Sequence, residues 1–132
     1  MKKRLTVLSL IGASLLSGCG KNPIKVNPDK AKYLVGVCQL VQHEALDAAT
    51  KGFQDALYEQ FSNIDIEVKD AGGESANCSI IANGFVTDGK DLILAVATPA
   101  LQAAYSATES IPILGTFISR FPPRETVTEE AM

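Results

Sequence analysis

An α/β fold, with a parallel Rossmann-like (flavodoxin-like) sheet and helices on both faces, follows from three observations in this 132-residue chain. Strand-length apolar runs alternate with amphipathic stretches long enough for helices, giving the order β-α-β-α-β-α-β. Two of the runs, Tyr33–Leu40 and the stretch opened by Asp91 and closed by Ala97, are continuously apolar, as strands covered on both faces must be. The connections are short and rich in Gly, Asn and Asp, which suits right-handed crossovers between parallel strands.

The elements justify themselves in order. Tyr33–Leu40 is the first strand. In Glu44–Phe61, Leu46, Ala49, Phe53, Ala56, Leu57 and Phe61 recur at helical spacing, and Glu44 and Asp47 sit where the helix dipole favours acids. Asn63 breaks that helix, and Ile64-Asp65-Ile66-Glu67-Val68 alternates strictly, as an edge-like strand does. Asp70–Glu74 is a Gly-rich turn. Ser75 is placed to cap a helix over Ala76–Val86, with Cys78, Ile81 and Phe85 on its apolar side. Asp91–Ala97 forms the third strand. Thr98-Pro99 then opens a helix reaching Thr108, with Thr98 as cap and Pro99 as first helical residue. Ile111–Gly115 is a fourth strand.

Ahead of this body, Lys2, Lys3 and Arg4 precede the apolar run Leu5–Leu16, and Leu16-Ser17-Gly18-Cys19 closes it with small residues before a cysteine. That is the layout of a secretory signal peptide over 1–18, and its last four residues resemble a bacterial lipobox, with Cys19 the lipidated residue. The run is short for a membrane span, which needs about 20 residues. Residues 19–32, with Pro23 and Pro28, read as a lipidated tether. Residues 33–116 form the folded part. Pro122-Pro123 and the acidic end make 117–132 a divergent, disordered tail.

Cleavage before Cys19 leaves 114 residues, one domain, and removes three of the 12 basic residues against 15 acids. The mature chain is therefore acidic, with net charge −6, and has no basic stripe with which to bind nucleic acid. An exported chain also meets an oxidising environment, where Cys38 and Cys78 either pair as a disulfide or remain buried thiols. Their spacing fits no zinc pattern, and no metal or cofactor is expected.

Chemistry in such sheets sits beyond the carboxyl ends of the strands. No G-x-G-x-x-G or P-loop pattern is present there. At Ala97-Thr98-Pro99-Ala100-Leu101-Gln102 a helix begins, and its unpaired amides (Ala100 and Leu101, since Pro99 has none) together with the Thr98 hydroxyl suit a carboxylate. The alternative is that Thr98 merely caps its own helix. Gln39, Gln42 and His43, the only histidine, crowd the loop after the first strand. His43 can donate a hydrogen bond or stack on a ring. Catalysis through Cys38 and His43 is disfavoured, because Cys38 falls within the apolar strand pattern.

Val35-Gly36-Val37-Cys38-Gln39-Leu40-Val41-Gln42-His43-Glu44-Ala45-Leu46-Asp47-Ala48 is similar to the first strand-loop-helix of bacterial ABC transporter substrate-binding lipoproteins of the tryptophan/tyrosine, or aromatic amino acid, type. Gly52-Phe53, Ala71–Asn77, Asp91–Ala95, Ala97–Ala104 and Ile111–Thr116 match later landmarks in order. The resemblance implies part of the N-terminal lobe of a type I periplasmic-binding-protein fold. It implies no enzymatic activity, and a ligand set of Gln39, His43, Thr98, Pro99, Ala100, Leu101, Gly115 and Thr116. The implied ligand is an amino acid, most naturally aromatic. The implied partners are an ABC permease and the membrane that holds the lipid on Cys19, outside the cytoplasm. Phe117–Met132 departs from the family pattern, which implies a truncated lobe. A competing expectation is a stand-alone flavodoxin-like surface lipoprotein with an interaction role or a bound flavin.

Overall fold

A computed structural model describes residues 30–119. The signal peptide 1–18, the lipobox Cys19 with its tether up to residue 29, and the tail from residue 120 lie outside the described residues. The elements are β1 (Tyr33–Gln39), α1 (Glu44–Gln60), β2 (Ile64–Asp70), α2 (Ser75–Thr87), β3 (Leu92–Val96), α3 (Thr98–Ala107) and β4 (Ile113–Thr116). All strands are parallel, in the order β2-β1-β3-β4. The chain thus has the α/β, Rossmann-like architecture that its apolar pattern predicts.

Position in the sheet explains each strand's composition. β1 and β3 are central and buried along most of their length, so continuous apolar sequence is what they need. β2 lies at an edge, and its alternating acids and lysine reach the surface. Val35, Val37, Ile66, Leu94 and Val96 form one face, on which Leu46, Phe53 and Leu57 of α1 pack. The opposite face carries Cys38, Ile93 and Ala95, covered by Cys78, Ala82 and Phe85 of α2 and by Ala100, Leu101 and Ala104 of α3.

Gly36 has no side chain for a steric reason. A Cβ there would lie 2.6–2.8 Å from three ring carbons of Phe85, so the ring stands directly on the strand backbone. Lys69 and Lys90 hold their ammonium groups 5.4 and 5.6 Å from the centre of that ring. Both also meet the Glu67 carboxylate, at 3.1 and 2.6 Å. Lys90 first, and then Lys69, hold that carboxyl below its usual range.

Three details depart from the sequence expectation. Ser75 is the first helical residue of α2 rather than its cap; Glu74 occupies that position, with no side-chain hydrogen bond to the helix. The end of the tether is fastened down. Lys30 pairs with Asp91, its carbonyl accepts from Asn63 Nδ2 at 2.8 Å, and Lys32 pairs with Asp65 at 3.0 Å. Asp91 in turn accepts from Leu34 N at 2.8 Å; burial opposes its ionisation, but Lys30 and the Leu34 amide outweigh it and lower its pKa. At the other end, Ile118 packs on the α2–α3 core and Ser119 bonds Thr98, so the tail does not begin to diverge in structure at Phe117.

Cys38 and Cys78 are not bridged in this structure, and both are fully buried. Burial, reinforced by the Cys78 thiol and by Asp70, pushes Cys38 from 9.0 to about 12. The unfolded thiol ionises first, so the contribution of Cys38 is fully present below pH 9.0 and is lost as pH rises toward 12. In the reduced protein, the unfolding midpoint of wild type is expected to fall more steeply across that interval than that of Cys38→Ala. Parallel pH profiles in urea titrations would refute this.

Candidate functional site

The register brings the expected loops to one level. Gln39 of β1 pairs with Asp70 of β2 and with Val96 of β3, and Val96 pairs with Thr116 of β4. The four strands therefore end flush, and their exits form one rim. Backbone bonds stitch it together. Gly73 N donates to Leu40 O at 2.7 Å, Leu40 N to Val96 O at 3.2 Å, and Ala97 N to Thr116 O at 2.9 Å. Because β1 and β3 are adjacent, the loops carrying His43 and Thr98 leave neighbouring strands on the same edge.

At the start of α3 the structure corrects the sequence expectation. Ala97, not Thr98, is the N-cap, and no side chain caps the helix. Thr98 and Pro99 are the first two helical residues. Leu101 N already donates to Ala97 O at 3.1 Å, so the amides that the helix leaves without internal partners are those of Thr98 and Ala100. The Thr98 hydroxyl does not cap the helix. It accepts from Ser119 N at 3.0 Å and shares a hydrogen bond with Ser119 Oγ at 3.1 Å. Ala100 and Leu101 turn their side chains into the core, which leaves only the Ala100 backbone for the rim.

Two residues at this edge hold backbone conformations that L-residues seldom adopt. Ala97 has φ 84° and ψ 158°, and Phe117, just past β4, has φ 56°. The Ala97 geometry belongs to a region populated essentially by glycine and costs on the order of 1–3 kcal/mol. It is held by the paired bonds Ala97 N to Thr116 O and Leu101 N to Ala97 O. Ala97→Gly is therefore expected to raise stability by about 1 kcal/mol, read as an increased urea midpoint. A decrease would show that the turn is unstrained. Gly115 is constrained from the side: a Cβ there would meet Ile118 at 3.0 Å and Leu101 at 3.5 Å.

Gln39 and His43 act differently from each other. The Gln39 side chain is buried, 4% exposed, and its polar atoms are committed internally. Nε2 donates to Val41 O at 3.0 Å and to Asp47 Oδ1 at 2.5 Å, while Oε1 accepts from Thr50 Oγ1 at 2.7 Å. It braces the β1–α1 loop against the helix and has no free donor for a ligand. His43 is exposed and caps α1, its Nδ1 accepting from Ala45 N at 3.2 Å. With Nδ1 so used, the donor of the neutral ring is Nε2. Cys38 faces the α2–α3 layer while His43 caps the helix on the other face, so the two do not form a nucleophile–base pair.

A hollow of about 250 Å³ opens beside Gln39, between α1 and β2, with Gln42, Lys51, Gln54 and Asp70 on its walls. It borders the rim but does not include Thr98, Pro99, Gly115 or Thr116. The Asp47–Gln39–Thr50 bracing was missed from sequence. The available signal was a lone amide closing an otherwise apolar strand, which demands buried partners.

The model of a family described as ABC transporter substrate binding protein matches residues 34–120. A curated tyrosine-binding protein of Clostridioides difficile is 39% identical over 126 residues, covering 87% of this chain and 36% of that protein. A ligand-free, open substrate-binding protein with adhesive properties from Clostridium difficile superposes with TM-score 0.64 at 43% identity. A Streptococcus pneumoniae ABC domain solved with L-Trp gives 0.63 at 32% identity, and each structure matches 67% of this chain and 31% of its own. The chain thus spans about a third of the length of these relatives. The relatives are binding proteins rather than enzymes, and with two thirds of the chain under the family model it belongs to the ABC transporter substrate-binding protein family.

Proposed function

We propose that the chain supplies first-lobe contacts of an extracytoplasmic solute receptor for an ABC importer, that its ligand is an amino acid with an aromatic side chain, and that lipid on Cys19 anchors it to the membrane beside its permease. The observation that carries this reading is the flush rim. The Thr98 and Ala100 amides stand at the positive end of α3, on the edge shared with His43 and Thr116. A carboxylate is stabilised there by unpaired N–H groups and by the dipole. His43 Nε2 offers a further donor on the adjacent loop, and Gln39 serves by fixing that loop. The tyrosine-binding relative and the neighbour solved with L-Trp support an aromatic ligand.

The test is a titration of isotope-labelled protein with tyrosine, tryptophan and phenylalanine, followed by amide NMR. The expected result is shifts concentrated at Thr98, Ala100, Thr116 and the 41–45 loop, larger for these three than for alanine. Shifts confined to the hollow between α1 and β2, or none with any aromatic amino acid, would overturn the assignment.

A further inference from the structure

The two cysteines of the folded body meet across the sheet–helix interface. Phe85 stands on Gly36. Two turns earlier on the same face of α2 comes Cys78, and two residues further on the same face of β1 comes Cys38. Both are fully buried in one core cluster, and each thiol contributes to the other's electrostatic surroundings. Apart from the lipobox cysteine these are the only cysteines in the sequence, and forty positions of chain separate them. A cross-link between β1 and α2 requires the two thiols to share this one layer of the core, and they do.

We propose that Cys38 and Cys78 form a disulfide in the exported protein, tying the first turn of α2 to the central strand. In the reaction both thiols lose their protons, one S–S bond forms, and two electrons pass to the disulfide of a thiol–disulfide exchange partner, which departs as two thiols. The step belongs to folding, before the core closes, because the finished core admits no partner and disfavours the thiolate at Cys38. The loop it closes contains the 71–74 turn, whose Gly73 amide holds Leu40 at the rim. The bridge thereby stiffens the ligand edge as well as the core. The inference depends on export but not on the identity of any ligand.

Full-length protein recovered from outside the cytoplasmic membrane is denatured and alkylated with and without prior reduction, then weighed by mass spectrometry. The expected outcome is no tag on Cys38 or Cys78 without reductant, two tags after it, and a native mass lower by two hydrogens. Reductant should also lower the urea midpoint of wild type while leaving the Cys38→Ala/Cys78→Ala double variant unmoved. Tags on both cysteines without reductant would overturn the proposal, as would a midpoint indifferent to reductant.

Discussion

Phe85→Ala is expected to cost about 3–5 kcal/mol, comparable with the entire stability of a domain this size, about 5–15 kcal/mol. The ring is among the largest fully buried side chains. It rests on the Gly36 backbone with the Lys69 and Lys90 ammonium groups close by, so its removal empties a space that no neighbouring side chain can fill without moving. The companion change is Gly36→Ala. Its Cβ would enter the ring at 2.6–2.8 Å, and overpacking of this kind costs about 1–3 kcal/mol. The two costs have a single physical origin. Phe85→Leu in the Gly36→Ala background should therefore recover part of the loss, and a double-mutant cycle in urea should show clear coupling. Strict additivity would mean that the ring and the glycine do not constrain one another.

The second large effect is expected at Gln39. Gln39→Leu keeps the volume but strips partners from the Thr50 hydroxyl, the Asp47 carboxylate and the Val41 carbonyl. Thr50 is 5% exposed, and a buried polar group left unsatisfied costs about 1–3 kcal/mol. The loss for Gln39→Leu is accordingly put at about 2–3 kcal/mol. Adding Thr50→Val should return part of it, since an apolar pair no longer carries an orphaned hydroxyl. The same variant should speed hydrogen exchange of amides 41–45 relative to those of β3, because the brace on the β1–α1 loop is gone. Unchanged exchange in that loop would show that Gln39 is only a core residue.

The fold was largely legible because central and edge strands impose different sequence patterns. Unbroken apolar runs at Val35–Cys38 and Ile93–Val96 and alternation at Ile64–Val68 matched their places in the sheet. Which loops share the rim was legible too, since the sheet's parallel order dictates which strand exits lie on one edge. Two helices start one residue earlier than the sequence suggests, at Ser75 and Thr98. Hydroxyl residues are good caps, but at α3 tertiary bonds set the start: Ala97 N donates to Thr116 O, and the Thr98 hydroxyl is taken by Ser119. The Gln39 role was hidden because its partners Asp47 and Thr50 lie 8 and 11 residues further on, in a helix whose only buried residue is Thr50. Gly36 carried a readable hint, an isolated glycine between valines in a strand.

The place of β1 between β2 and β3 bears on how the protein is made. β1 comes first among the described strands, yet one of its flanks waits for β2 and the other for a strand that ends only at Val96. A chain that emerges N-terminal end first must hold Val35–Cys38 uncovered throughout that interval, open to wrong partners. The rate at which β2 and β3 follow, or a chaperone that shelters this stretch, therefore bears directly on how much of the chain reaches its folded form.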